Sequence, residues 1–374
     1  MLVPSDRIQQ LLDNAGVNID GPNEWDIKLN DKTLLHSLKS LNSLTLGEAF
    51  VHNQWDCDAL DELTCRIAKS ELYPYLYAHS SPLWRKLTSL LAKRQSVKRS
   101  QQDIQFHYDL ADPFYKQLLD PLMIYSCAYW QDATTLQDAQ VKKLDLICRK
   151  LDLKPNMTVL DIGCGWGGLL RYATEHYGVT GLGVTLSQAQ YQWARKNLNH
   201  LPIDFVLSDY RDIPGIQQFD RVVSVGMLEH VGPANYSHYF NIIKERLRED
   251  GLALIHTIGN NQTGDTDSWI HKYIFPNGYI PALSQLAVAF EQSGLVLEDL
   301  HNIGPHYDPT LIAWWQQIES YWPQEASAQE RQQKRIWQFY LLTCAGLFRA
   351  RALQVWQCFF THSGHPQPST TRST

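Results

Sequence analysis

The sequence contains no run of roughly 18 or more apolar residues, and its start, Met1-Leu2-Val3-Pro4-Ser5-Asp6, lacks a basic segment followed by an apolar one. A chain that stays in the cytoplasm and does not span a membrane is therefore expected. Cysteine is sparse: Cys57, Cys65, Cys127, Cys148, Cys164, Cys344 and Cys358 make an odd set of seven with no C-x-x-C pair. That excludes a disulfide framework and argues against structural zinc, as expected of a reduced compartment. A basic surplus is also missing, since 33 Lys and Arg stand against 39 Asp and Glu for a net charge of -6. A dedicated nucleic-acid partner is excluded on that count, because phosphate affinity rests on excess cations. There is no internal repeat. What the chain has is length and aromatics: 374 residues, with 12 Trp, 18 Tyr and 12 Phe, enough for one large or two ordinary globular domains.

The first ninety or so residues carry apolar positions at helical spacing: Ile8, Leu11 and Leu12; Leu34, Leu35, Leu38 and Leu41; Leu60, Leu63, Ile67 and Leu72. From Leu72 through Gln102 no acidic residue occurs, whereas Arg85, Lys86, Lys93, Arg94, Lys98 and Arg99 do. Trp84, Leu87, Leu90 and Leu91 fall on one helical face beside Arg85, Lys86, Lys93 and Arg94, a pattern that suits an anionic lipid surface and equally a solvated basic face on an ordinary amphipathic helix. The following residues have linker composition. The expected division is a smaller, mainly helical domain over 1–94, a linker over 95–103 and a second domain over 104–374.

In that second part strands alternate with helices: Thr158–Ile162, Gly181–Thr185, Ile203–Leu207, Asp220–Val225 and Leu252–Ile258, with helical stretches at Ser187–Leu198 and Tyr236–Leu247. A parallel, doubly wound α/β sheet is the expected solution. Beyond Gly304 the chain reads as mostly helical, ending in a strand at Leu353–Phe360. The strongest motif is Val159-Leu160-Asp161-Ile162-Gly163-Cys164-Gly165-Trp166-Gly167-Gly168, a buried strand running into a glycine turn and then a helix. Such a turn lets backbone approach a ligand at the carboxyl end of the first strand.

Asp161-x-Gly163-x-Gly165 resembles the first motif of class I S-adenosylmethionine-dependent methyltransferases, and this implies a Rossmann-like doubly wound sheet with lid helices. One departure is visible. The second strand ends Gly183-Val-Thr-Leu-Ser187 without the carboxylate that usually binds ribose, so Thr185 or Gln190 must serve instead. Further blocks narrow the likeness: Phe106-His-Tyr-Asp-Leu110, Tyr125-Ser-Cys-Ala-Tyr-Trp130, Asp209-Tyr-Arg-Asp212, Ser224-Val-Gly-Met-Leu-Glu-His-Val231, His256-Thr-Ile-Gly259, Tyr273-Ile-Phe-Pro-Asn-Gly278 and Phe348-Arg-Ala-Arg351. With these the chain resembles the cyclopropane and mycolic acid synthase family of S-adenosylmethionine-dependent methyltransferases, and its first 94 residues resemble the extra lipid-binding domain of the phospholipid-acting members.

The resemblance implies transfer of a methylene from S-adenosylmethionine to the cis double bond of unsaturated phospholipid acyl chains. It assigns cofactor contacts to Tyr125, Ser126, Asp161, Gly163, Gly165, Thr185, Leu186, Gln190, Tyr210 and Arg211. It also implies a bicarbonate ion as base, held by Cys127, Glu229, His256, the backbone at Ile258 and Tyr307, with no metal. Taken singly, Cys127 reads as a buried hydrophobe, His256 as a core histidine and Glu229 as a helix cap. Attack by an alkene leaves a carbocation, which the faces of Tyr125, Tyr273, Phe275 and Tyr307 suit. The segment Trp269–Pro276 is expected to roof an acyl tunnel or to form a small apolar core of its own. A homodimer bound peripherally to the inner membrane face is implied as well. The alternatives are a methyltransferase giving a branched lipid or a methylated amine, and a lipid-binding scaffold without activity.

Overall fold

The computed structural model describes residues 4–34, 42–77, 112–264, 266–276 and 278–369. The basic segment holding Arg85, Lys86, Lys93 and Arg94, the linker at 95–103 and the block Phe106–Leu110 lie outside the described residues. No described helix is long and apolar enough to cross a membrane. The described residues group into two compact units, the first drawn from Met1–Ala92, Asp265–Pro276 and Tyr307–Leu353, the second from Lys93–Gly264, Asn277–His306 and Gln354–Thr374.

The first unit is helical. Its helix Ser43–Val51 begins at a capping box in which the Asn42 side chain accepts the Thr45 N–H at 2.9 Å and Thr45 Oγ1 accepts the Asn42 N–H at 3.2 Å. Such a cap contributes about 1 kcal/mol. The helix Ala328–Arg349, capped in the same way by Ser327 and Glu330, buries Trp337, Leu341, Ala345 and Phe348 along one face. Two of its arginines tie sequence-distant pieces together. Arg335 donates to the carbonyls of Phe50 at 2.6 Å and Trp55 at 3.0 Å, and Arg349 bridges Asp308 at 2.9 Å and Asp61 at 2.6 Å. The segment Ser268–Tyr273 docks through Trp269, which is buried against Phe339 and crosses Gly47 so closely that a Cβ there would lie 2.3 Å from the indole. Within this unit the segment thus has a small apolar core.

The second unit is built on strands β1 (Thr158–Ile162), β2 (Thr180–Thr185), β3 (Ile203–Leu207), β4 (Phe219–Val225), β5 (Leu247–Asn260), β6 (Leu295–Asn302) and β7 (Leu353–His362). They form a seven-stranded sheet in the order β3-β2-β1-β4-β5-β7-β6. The first five are parallel, with Asp161 in register with Gly183 on β2 and Val223 on β4. The doubly wound α/β sheet expected from sequence is present, and to its parallel strands it adds an antiparallel pair, β7 with β6, joining Asn302 with Trp356 through Leu295 with His362. The strand β6 escapes a hydrophobic reading because it is an edge strand carrying Glu298 and Asp299, the kind of charge that edge strands use against stray pairing. Alternate residues face opposite sides. Leu160, Val222 and Phe360 join one apolar cluster, and Val159, Val223, Leu254 and Phe359 join the other, which the helix Leu136–Lys150 covers with Leu144, Ile147 and Cys148. The order of strands reverses between β1 and β4, the place where such sheets open a ligand crevice.

Candidate active site

At the end of β1 the chain turns through Gly163 (φ +85°) and Gly165 (φ +56°), left-handed conformations that a side chain resists. The two differ in surroundings. A Cβ on Gly163 would press on Met227, whereas one on Gly165 would meet nothing within 4 Å. Gly165 therefore leaves its backbone bare toward a cleft, lined also by Tyr125, Ser126, Asp161, Gly163, Thr185, Leu186, Gln190 and Tyr210. Every cofactor residue assigned from sequence lines this cleft except Arg211, whose guanidinium is held by Asp209 at 2.6 and 2.8 Å and lies over the Tyr210 ring.

The end of β2 carries a hydrogen-bonded pair where the motif lacks a carboxylate. Thr185 donates its hydroxyl to Gln190 Oε1 at 2.8 Å, and Thr185 Oγ1 accepts the Ser187 N–H at 3.1 Å while Ser187 caps the helix Gln188–Asn197. Both Thr185 and Gln190 are buried, so they offer a fixed neutral pair in place of a charge. Tyr210 brings a buried hydroxyl with no partner among the described residues, an acceptor and donor waiting on the cleft wall.

Beyond β4 lies a second group. Glu229, on the turn Leu228–His230, accepts the Ile258 N–H with Oε1 at 2.6 Å, while its Oε2 is buried with no partner among the described residues. Burial pushes this carboxyl up to about 7, against the opposite pull of the Ile258 and Glu229 N–H groups and of the Thr257 side chain. His256 stands two residues before Ile258 on β5, and burial, reinforced by Lys143 and Lys150, holds its imidazole well below its usual value. Cys127 is fully buried with Sγ 3.3 Å from the Ala128 carbonyl. The structure thus joins Glu229 to Ile258 directly and places Cys127 and His256 each within electrostatic reach of Lys143. Tyr307 belongs to the first unit, where its ring packs on Phe348 at 4.7 Å and Trp314 at 5.9 Å.

Comparison with known proteins matches residues 95–358 to the family described as mycolic acid cyclopropane synthetase. The chain belongs to this family. A relative over nearly the whole chain is the cyclopropane-fatty-acyl-phospholipid synthase of Escherichia coli strain K12, 43% identical over 364 residues, covering 96% of this chain and 94% of that one. Among solved structures, the cyclopropane synthase MmaA2 of Mycobacterium tuberculosis is 32% identical with a TM-score of 0.64, covering 70% of this chain and 97% of that one. The mycolic acid cyclopropane synthase CmaA1, solved with SAH and CTAB, is 32% identical with a TM-score of 0.62, covering 70% and 97%. The mixed seven-stranded sheet of this chain is accordingly the methyltransferase fold.

One residue of the cleft escapes a reading by motif. Lys143, almost wholly buried, lines the cleft and donates to Ser126 Oγ at 2.9 Å, while Gln140 on the same helix donates to the Ser126 carbonyl at 2.9 Å. Burial lowers Lys143 to about 8 and raises Asp161 to about 7, and each partly offsets the other. A sequence signal existed: Gln140, Lys143 and Lys150 occupy the same helical stripe as Leu136, Leu144 and Ile147, a place where a solvated lysine does not belong. The bare Gly165 backbone, the lone Tyr210 hydroxyl and the buried Asp161 suit a cofactor with polar and cationic groups. The partnerless Glu229 Oε2 suits a small oxyanion able to share a proton.

Proposed function

We propose that this chain transfers a methylene from S-adenosylmethionine to the cis double bond of unsaturated phospholipid acyl chains, making cyclopropane fatty acids, with an enzyme-held bicarbonate taking the final proton. The reading rests on family membership and on one local observation, the Glu229 carboxyl with one oxygen tied to the Ile258 N–H and the other buried and bare. S-adenosylmethionine supplies an electrophilic sulfonium methyl when bound. An alkene is a weak nucleophile, so the work of the Gly163–Gly165 turn, the Thr185–Gln190 pair and Ser126 is to hold the donor in line and keep water out. Attack forms a carbon–carbon bond, breaks the carbon–sulfur bond and leaves positive charge on the neighbouring chain carbon. Ring closure then requires loss of a proton from the transferred methyl. Bicarbonate supplies the base for this when bound.

Burial raises the Glu229 carboxyl to about 7, so near neutral pH its protonated form is well populated and can donate to an oxyanion rather than repel it. Neutral His256 adds one N–H, and Cys127 a weak thiol donor. Base catalysis of this type contributes roughly 10²–10⁴-fold. The same reading makes the first 94 residues a lipid-binding domain and the protein a homodimer at the inner membrane face. It is tested with vesicles of unsaturated phospholipid and a methyl-labelled donor, read by mass spectrometry of the acyl chains and by sedimentation of protein with the vesicles. Labelled cyclopropane chains and salt-sensitive co-sedimentation are expected. A labelled alkene or branched chain, or label only on a soluble amine, contradicts the ring-forming reading.

A further inference from the structure

His256, Gln357 and His301 sit on the adjacent strands β5, β7 and β6, with His301 and Gln357 in register, and the helix Leu136–Lys150 sets Lys150 over them. Lys150 is buried, its Nζ 2.9 Å from Gln357 Oε1 and 3.0 Å from His301 Nδ1. Gln357, fully buried, turns its Nε2 to His256 Nδ1 at 3.5 Å. No role in the proposed reaction has been given to Lys150 or Gln357.

The chemistry of these groups leaves little freedom. An ammonium only donates, so the Gln357 atom facing Lys150 must be the carbonyl oxygen, and the opposite end of the amide must be the NH₂. An NH₂ only donates, so His256 Nδ1 must accept. Burial and the two lysine cations keep the ring neutral with a single N–H, and that hydrogen is left for Nε2.

We infer that Lys150 and Gln357 are positioning residues that lock His256 as the neutral Nε2–H tautomer, making Nε2 a permanent hydrogen-bond donor. The lock explains why a lysine and a glutamine are buried in an apolar helix–sheet layer at the cost of their desolvation. The use of that donor toward an oxyanion rests on the function proposed above; the lock itself does not.

The test uses the full chain with ring-¹⁵N-labelled histidine, free of donor, lipid and added bicarbonate, and reads the long-range ¹H–¹⁵N pattern of the His256 ring, identified by its loss in His256→Gln. A pyridine-type Nδ1 and pyrrole-type Nε2 are expected. In Gln357→Glu the carboxylate accepts where the amide donated, so the proton should move to Nδ1 or the ring should become doubly protonated, with turnover lower by about 10²-fold and donor affinity unchanged. Lys150→Met frees the amide to flip and should give a mixture of tautomers, which covers the case in which Gln357→Glu does not fold. A wild-type Nδ1–H ring, or a pattern unchanged in the folded variants, overturns the inference. Because the tautomer is read without substrate, this outcome is independent of which product the vesicle assay reveals.

Discussion

The cleft beside β1 and the group beyond β4 are neighbours in one sheet, yet they handle polarity in opposite ways. In the cleft Thr185 is partnered with Gln190 and Ser126 with Lys143. The Tyr210 hydroxyl, without a partner among the described residues, is neutral, and Gly165 presents its Cα to open space. Beyond β4, by contrast, a buried carboxyl keeps one oxygen without a partner among the described residues, while its acidity is moved toward neutrality as that of Asp161 is in the cleft. The first arrangement binds a ligand at little reorganisation. On the proposed function, the second holds an unfavourable group that a reacting partner would relieve, which is how proton-transfer sites differ from binding sites.

Breaking the second region should produce the largest effect. Glu229→Gln keeps the shape and one acceptor but cannot shuttle a proton, and turnover should fall by roughly 10²–10⁴-fold while donor affinity, measured by titration calorimetry, changes less than about twofold. Parallel losses of turnover and affinity would mean that Glu229 only supports the cleft.

Stability against pH sharpens the contrast next. The folded Glu229 carboxyl holds its proton to about 7, above its ordinary 4.5, so between those values the folded state binds more protons than the unfolded one and stability falls as pH rises. His230 and His256 are shifted the other way and mask this in the wild type. In Glu229→Gln the falling contribution is removed, and denaturation at pH 4.5 and pH 8 should show the variant gaining on the wild type by on the order of 3 kcal/mol. A difference independent of pH would show that the carboxyl is not desolvated.

The smallest effect belongs to the cleft. Gly165→Ala introduces a methyl where the ligand-free protein has open space, so its stability should drop only by the roughly 1 kcal/mol of a left-handed alanine. Donor affinity should weaken by about tenfold, about 1.4 kcal/mol, with turnover at saturation little changed. Unaltered affinity would place the donor elsewhere.

Legibility in the sequence follows the same divide. The glycine turn, its strand and the Thr185–Gln190 pair are contiguous pieces of chain whose residue types announce their use. The parallel half of the sheet was legible for the same reason, each strand being an apolar run between turn signals. Glu229, His256, Ile258 and Cys127 are scattered over three segments, and singly each fits an ordinary buried role; only resemblance to a family gathered them. Lys143 and Lys150 left only the faint signal of their place in an apolar helical stripe, and Gln357 left none, because burial is a property of the packed layer rather than of the residue. The edge strand β6 was hidden by the acids that protect it, and with it the antiparallel β7–β6 pairing.

The central claim is that binding and proton removal are carried by separate groups, and a double-mutant cycle on kcat/KM with Gly165→Ala and Glu229→Gln measures it directly. Independent regions predict additive losses, with a coupling energy under about 0.5 kcal/mol. A coupling above about 1 kcal/mol would contradict the account, since contacting or jointly acting groups couple at that level.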